Sequence, residues 1–120
     1  MGLTYVTVRL SPDPASRKHF TAEFLVDTGA TDSMAPTSAL RKAGIKPVGK
    51  TAYELADGKI REFKFGLATI QFMGEITSGR VIFGDEDSAP LLGVTALESV
   101  GILVDAANKT LKRLPAIPLK

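Results

Sequence analysis

One short segment constrains the fold of this chain more than any other, because an apolar run in it ends in an acid. Phe24, Leu25 and Val26 lead directly into Asp27, and residues 28–33 that follow are all small or polar. A carboxylate beside buried side chains costs free energy unless something compensates it. We therefore interpret Asp27 as the end of a buried strand, and the residues after it as a loop that presents the acid.

The residues before Asp27 alternate between apolar and polar types in two stretches. Residues 4–10 place Val6, Val8 and Leu10 on one side, and residues 19–27 alternate in the same way. This period of two is typical of half-buried strands. The segment between them contains two prolines and several polar residues, which indicates a turn. The pattern predicts a hairpin that ends at Asp27.

Further strands and two short helices are predicted downstream. Asp57-Gly58 is a strong turn signal inside a second hairpin, residues 51–65. A helix is predicted over 37–43 after Pro36, and Gly44 suits its end. Thr95 and Glu98 fit a capping box for a second helix that ends at Gly101. The other predicted strands are 67–73 and 79–84, separated by Gly74 and by Ser78-Gly79, and a last hairpin made of 102–105 and 109–114.

The two predicted helices carry the same short pattern. Residues 39–45 and 96–102 both fit Ala-Leu-x-x-x-Gly-Ile, at an offset of 57 residues from Ala39 to Ala96. Each copy follows a strand and then a loop. The first loop contains Asp27, whereas the second contains Leu91-Leu92-Gly93 and offers no acid at the matching place. We interpret the pattern as a duplicated strand–loop–helix unit.

Composition excludes several classes of function. The 120 residues fit one domain, residues 1–120, and 44% of them are hydrophobic, enough for a core. The chain has no Cys, so disulfides, thiolate nucleophiles and cysteine metal sites are excluded. The net charge of +2 comes from scattered basic residues, which argues against nucleic-acid binding.

No segment of the sequence indicates a membrane or an export signal. No apolar run approaches the roughly 18 residues of a membrane span, and residues 1–10 lack the pattern of a signal peptide. We therefore expect a soluble cytoplasmic protein without a membrane partner. A domain cut from a longer chain would look the same.

The motif Asp27-Thr28-Gly29-Ala30 after an apolar run resembles the active site of aspartic proteases, and most closely that of the retroviral-type, retropepsin-like members with one domain. Small bacterial members are similar in the trailing segment 103–111. The resemblance spans almost the whole chain: a hairpin into the acid, a flap hairpin (residues 51–65), and Leu91-Leu92-Gly93 before a short helix. It implies an all-β fold, a small closed barrel with two short helices.

The resemblance also implies an activity that needs two copies of the chain. Two carboxylates that share a proton can activate a water and protonate a peptide carbonyl, whereas one carboxylate is a poor catalyst. Only one Asp-Thr-Gly occurs, so a homodimer is expected to bring two copies of Asp27 together. The expected reaction is hydrolysis of an extended polypeptide, with no metal and no cofactor. The resemblance assigns supporting roles to Thr28, Gly29 and Ala30, and substrate contacts to Asp32, Leu55, Ala56, Asp57, Gly58 and Leu92.

Other interpretations stay open at this point. Asp27 beside Gly29 could cap a turn, and the chain could be a non-catalytic dimeric peptide-binding module or one domain of a polyprotein. The run Asp85-Glu86-Asp87 could hold a divalent ion, although a solvated acidic loop is simpler. The sequence departs from the viral pattern after Gly93, where Val94 stands in place of the usual Arg.

Overall fold

The structure is a computed structural model that describes residues 4–119. Nine strands and two short helices form within these residues. The strands are β1 (Tyr5–Ser11), β2 (Phe20–Asp27), β3 (Ser33–Pro36), β4 (Gly49–Glu54), β5 (Ile60–Phe72), β6 (Glu75–Gly84), β7 (Leu91–Gly93), β8 (Ile102–Asp105) and β9 (Thr110–Arg113). The helices are α1 (Thr37–Lys42) and α2 (Val94–Ser99).

Six of the strands close into a small barrel. The main sheet has the order β1-β2-β7-β3-β6-β5-β4, and β1 also pairs with β5, which closes the ring. Closure leaves β4 outside the ring, paired only with the first part of β5. The predicted all-β barrel with two short helices is therefore confirmed. Neither helix is long and apolar enough to cross a membrane, in the part of the chain that the structure describes.

The flap hairpin is an extension of the barrel wall. Pairing between β4 and β5 runs from Gly49 opposite Phe65 to Glu54 opposite Ile60, so the hairpin begins two residues earlier than predicted. Beyond Phe65, β5 continues into the barrel and pairs with β6 and β1. One continuous strand thus joins the flap to the wall.

The core fills the barrel with the apolar faces that the alternation predicts. Val8 and Leu10 of β1 and Phe24 of β2 are fully buried, together with one leucine from each helix, Leu40 and Leu97. All five belong to a single hydrophobic cluster. The two helices thus cover the core through these leucines. The loops follow the ends of the strands.

The predicted duplication is present in the fold. Parallel pairing joins β2 to β7 (Leu25 to Leu91) and β3 to β6 (Met34 to Ile82), and these two pairs are related by the same 57-residue offset. Met34 and Leu91, which are equivalent under this offset, pair with each other. Helix α1 maps onto α2 at the same offset. The segments 25–42 and 82–99 are therefore two copies of one unit.

Two local predictions are wrong. Ser78-Gly79 does not separate strands, because β6 runs through it opposite Ala68 and Thr69. The reversal falls at Met73-Gly74 alone, where both residues have positive φ. The capping box is absent: α2 begins after Gly93 and has no side-chain cap.

Two short strands lie in segments that were predicted as loops. They are β3 (Ser33–Pro36) and β7 (Leu91–Gly93), with only four and three residues. Strands of this length show too few alternations to be recognised in sequence. They form because their neighbours in the barrel wall supply pairing partners on both sides.

Candidate active site

Asp27 ends strand β2 and opens a tight turn. Its backbone pairs with Gly93 of β7 in parallel register. The Asp27 side chain is half-buried, and Oδ1 accepts a hydrogen bond from the Gly29 N–H at 2.9 Å. The Ala30 N–H donates to the Asp27 carbonyl oxygen at 3.1 Å. These bonds fix the carboxylate at the start of the Asp27 loop, residues 27–32.

Gly29 leaves room beside the carboxylate. A Cβ at this position would lie 3.2 Å from Asp27 Oδ1, which is closer than side-chain carbons normally approach. Thr28 and Gly29 are exposed, and Ala30 is half-buried. A side chain at position 29 would require the carboxylate to shift by a few tenths of an ångström, so the Asp-Thr-Gly pattern has a local physical basis.

The second copy of the unit holds the Asp27 loop from behind. The Val94 N–H donates to the Ala30 carbonyl oxygen at 2.8 Å, and the Thr95 N–H donates to that of Thr31 at 3.2 Å. The buried Ser33 hydroxyl accepts from the Gly93 N–H at 3.0 Å. The first backbone amides of α2 are therefore used to anchor this loop.

Gly93 is a point of close approach between the two copies. A Cβ there would lie 2.6 Å from the Asp32 carbonyl carbon and 2.7 Å from the carbonyl oxygens of Thr31 and Asp32. These are backbone atoms, so they cannot swing aside as a side chain would. Glycine at position 93 is thus required for the loop to rest on β7.

The tip of the flap hairpin is a compact turn with its own hydrogen bonds. The Leu55 N–H donates to the Lys59 carbonyl oxygen at 2.7 Å, and the Gly58 N–H donates to that of Leu55 at 2.9 Å. Asp57 Oδ1 accepts from the Lys59 N–H at 3.0 Å. Gly58 has φ of 84°, a conformation that favours glycine. Leu55 is half-buried, and Ala56, Asp57 and Gly58 are exposed.

A side-chain contact joins the flap hairpin to the Asp27 loop. The Tyr53 hydroxyl donates to Asp32 Oδ2 at 2.6 Å. Burial and this hydrogen bond to Asp32 raise the pKa of Tyr53 to about 12. Asp32, which was expected to meet substrate, is thus engaged by the flap.

The expected site residues fall into two groups. The Asp27 loop and the flap tip carry all of them except Leu92, whose side chain is fully buried in the core. Leu92 therefore packs inside the barrel and offers no surface to a substrate. Sequence reasoning missed the roles of Ser33 and Tyr53. For Tyr53, the only signal in the sequence was a tyrosine within the predicted flap hairpin.

The acidic run after β6 forms protein contacts. Asp85 accepts two hydrogen bonds from Arg61, at 2.8 and 2.9 Å, and Glu86 accepts from Ser38. The guanidinium of Arg61 lowers the pKa of Asp85. Within residues 4–119 no cluster of acids and histidines could hold a metal ion.

Residues 17–99 match the family model described as "gag-polyprotein putative aspartyl protease". The match covers more than half of the chain and includes the Asp27 loop, the flap hairpin and α2. The chain belongs to this family. It is an aspartic-type endopeptidase with a retropepsin-like domain, and this membership favours an enzyme over a non-catalytic binding module.

Solved structures support the fold. The EIAV protease in complex with the inhibitor HBY-793 is 20% identical, with a TM-score of 0.62 over 83% of this chain and 89% of that one. The simian foamy virus protease in solution is 15% identical, with a TM-score of 0.54 over 78% of this chain and 91% of that one. No curated protein matches the sequence.

Proposed function

We propose that this aspartic protease works as a homodimer in which two copies of Asp27 form one catalytic pair. The observation that carries the proposal is the asymmetry of the duplicated unit. Asp27 ends β2, but the equivalent residue at the end of β6 is Gly84. One chain therefore supplies one acid of this kind, and a second chain is the simplest source of its partner.

Two-fold symmetry places equivalent residues face to face around the axis. Two carboxylates held this close cannot both ionise, so one stays protonated and the other charged. The charged member takes a proton from a water, whose oxygen attacks the peptide carbonyl carbon. The protonated member donates its proton to the carbonyl oxygen. Collapse of the tetrahedral intermediate breaks the C–N bond as the amine takes a proton from the pair.

The substrate binds in an extended conformation beneath the flap hairpin. A peptide that adds as a strand is recognised through its backbone, and pockets for its side chains set the preference. Closure of the flap tip, residues 55–59, over the peptide excludes water from the reaction. Thr28 and Gly29 border Asp27, and Leu55 and Ala56 lie on the flap side, so these residues are the proposed substrate contacts.

The test is the substitution Asp27→Asn. It removes the charge and keeps the size of the side chain, so we expect cleavage of an unfolded protein to fall by about 10³-fold or more, as for loss of other essential catalytic groups. Sedimentation and thermal unfolding should be unchanged. The control is Asp87→Asn, an exposed acid in the equivalent loop of the second copy, which should cleave normally.

Mixing experiments distinguish a shared site from an independent one. Parent and Asp27→Asn chains are mixed and allowed to exchange subunits. If both acids are needed, activity falls as the square of the parent fraction, because only dimers of two parent chains are active. A linear fall would show that each chain works alone, and the proposal would be wrong.

A further inference from the structure

One face of strand β4 is directed toward the body of the protein. Gly49, Thr51 and Tyr53 are half-buried, whereas the alternating residues are exposed: Lys50, Ala52 and Glu54. Alternation of this kind is expected when a strand packs on one side only. The flap hairpin therefore has an inner face, and its two side chains are a threonine and a tyrosine.

Both inner side chains are hydrogen-bonded to the barrel. Tyr53 donates to Asp32 of the Asp27 loop at 2.6 Å, and Thr51 Oγ1 accepts from Arg80 of β6 at 2.9 Å. The guanidinium of Arg80 also lies 4.1 Å from the centroid of the Phe65 ring. Two residues of one strand thus contact the Asp27 loop and the barrel wall, respectively.

The Tyr53 contact is the shorter of the two, at 2.6 Å against 2.9 Å. A hydroxyl that donates to an ionised carboxylate forms a short, charge-assisted hydrogen bond, roughly twice as strong as a neutral one. Burial and the hydrogen bond to Asp32 raise the pKa of Tyr53 to about 12, so the phenol stays protonated and able to donate. The Tyr53 ring also packs edge-on against Phe63, at 6.2 Å between centroids.

We propose that Tyr53 is a positioning residue for peptide hydrolysis: through Asp32 of its own protomer it holds the end of β4, next to the tip turn of the flap hairpin, against the Asp27 loop before substrate binds. This inference rests on the proposed function. The bond lies outside the tip turn, whose hydrogen bonds described above are all internal. The tip turn, residues 55–59, is therefore able to move over a peptide while the strand at Tyr53 stays in place.

The expected kinetic effect is on substrate binding. If the flap hairpin is already positioned, peptide binding does not have to supply the free energy that orders it. If fewer molecules have the flap hairpin in this position, the apparent affinity for the peptide falls in proportion. Tyr53→Phe removes only the hydroxyl and keeps the contact with Phe63. We expect KM to rise by about three- to tenfold and kcat to change by less than about twofold, as for loss of uniform binding.

Tyr5→Phe is the matched control. Tyr5 is the only other tyrosine in the sequence, and it lies exposed on β1. It should leave KM unchanged. If Tyr53→Phe also leaves KM unchanged, or lowers kcat with no effect on KM, the positioning role is wrong.

A double-mutant cycle tests whether Tyr53 acts through Asp32. Asp32→Ala should raise KM at least as much as Tyr53→Phe, and adding Tyr53→Phe to it should have no further effect. Asp32→Asn keeps an acceptor oxygen for the hydroxyl, so its effect should be smaller. Fully additive effects of Tyr53→Phe and Asp32→Ala would show that the two residues act independently.

Tyrosine fluorescence reports the contact without activity. The sequence has no Trp, so a chain with Asp27→Asn and Tyr5→Phe emits from Tyr53 alone. A neighbouring carboxylate that accepts the phenol hydrogen bond quenches this emission. Adding Asp32→Ala should therefore brighten it and raise its quenching by acrylamide. If Asp32→Ala leaves the emission of Tyr53 unchanged, the positioning role of Tyr53 is wrong, even if the protease proves dimeric. If the emission rises but Asp27→Asn does not lower cleavage, only the proposed function is wrong.

Discussion

The two copies of the duplicated unit share a scaffold but differ at the one position that carries chemistry. In the first copy, β2 ends at Asp27, and in the second, β6 ends at Gly84. Each copy continues through a loop into a short strand and a six-residue helix at the same offset. The shared parts are those that close the barrel, and the different part is the loop at the strand end.

The loops of the two copies have different tasks. The loop of the first copy presents Asp27 and is held by backbone bonds from α2. The loop of the second copy presents no acid at the strand end, and its Asp85 binds Arg61 of β5 in the flap hairpin. Duplication therefore gave the fold two equivalent loops, and only one of them retains a candidate catalytic acid. Substitutions at equivalent positions should separate the demands of the scaffold from those of the site.

The largest difference is expected at Gly93 and its equivalent, Pro36. A Cβ at Gly93 would lie 2.6 to 2.7 Å from backbone atoms of Thr31 and Asp32. Gly93→Ala must therefore displace the Asp27 loop or β7, and we expect a loss of about 4 kcal/mol or more in the free energy of unfolding, in the range of severe core changes. Equilibrium unfolding in urea measures it.

Pro36→Ala is the control for this substitution. Pro36 precedes α1 as Gly93 precedes α2, and it already carries a Cβ. We expect a loss of about 1 kcal/mol or less, as is usual away from close contacts. Equal losses at the two positions would show that the glycine serves the scaffold rather than the Asp27 loop.

Part of the fold could be predicted from the sequence, and part of it could not. Alternation predicted the hairpin into Asp27 and the flap hairpin, and the repeated helix pattern predicted the duplication. The short strands β3 and β7 were missed because their pairing comes from distant segments. Ser78-Gly79 was assigned to a turn because residue type favours one, yet the neighbouring strands hold it extended.

For the candidate site, the sequence indicated which loop matters but few of its contacts. The Asp27 motif is local, and residues next to each other in sequence define it. The bond from Tyr53 to Asp32 joins residues 21 positions apart, and that from Gly93 to Ser33 joins residues 60 apart. No period or spacing predicts such pairs. Leu92 was assigned to the substrate for the same reason, since burial depends on packing that one sequence does not specify.

Leu40 and Leu97 occupy equivalent positions in the two copies. Both are buried in the same cluster, at 0% and 1% exposure. Leu→Ala at either should cost about 3 kcal/mol, the lost burial plus the cavity, and thermal unfolding should give similar shifts. Activity should differ, because α2 binds the Asp27 loop and α1 does not. At a temperature where both variants are folded, Leu97→Ala should lower kcat more than Leu40→Ala. The reverse order would contradict the anchoring role of α2.

Each of the two helices is followed by an equivalent glycine. Gly44 and Gly101 have φ of 83° and 71°, a region that costs other residues about 1 kcal/mol. A Cβ at Gly44 would lie 3.3 Å from Pro12 Cγ, but at Gly101 it would lie 2.8 Å from Ile117 Cγ1. Both substitutions to alanine should destabilise, and Gly101→Ala slightly more. Urea unfolding measures the two losses in the free energy of unfolding. Equal losses would show that the Ile117 side chain moves aside at little cost.

The smallest effect is expected at the loop of the second copy, from Arg61→Gln. The pair of Arg61 and Asp85 is solvent-exposed, and exposed pairs add little to stability. Arg61 lowers the pKa of Asp85, so the pair stabilises the fold above the ordinary carboxyl pKa and loses this effect as pH falls through the lowered value. The melting temperatures of parent and variant should therefore differ slightly near neutral pH, and the difference should shrink in acid to the part that comes from the contact of Arg61 with the Phe63 ring. Lys59→Gln removes the same charge from the same hairpin without touching Asp85. If it lowers the melting temperature equally, the effect belongs to net charge, and the second loop has no specific hold on the flap hairpin.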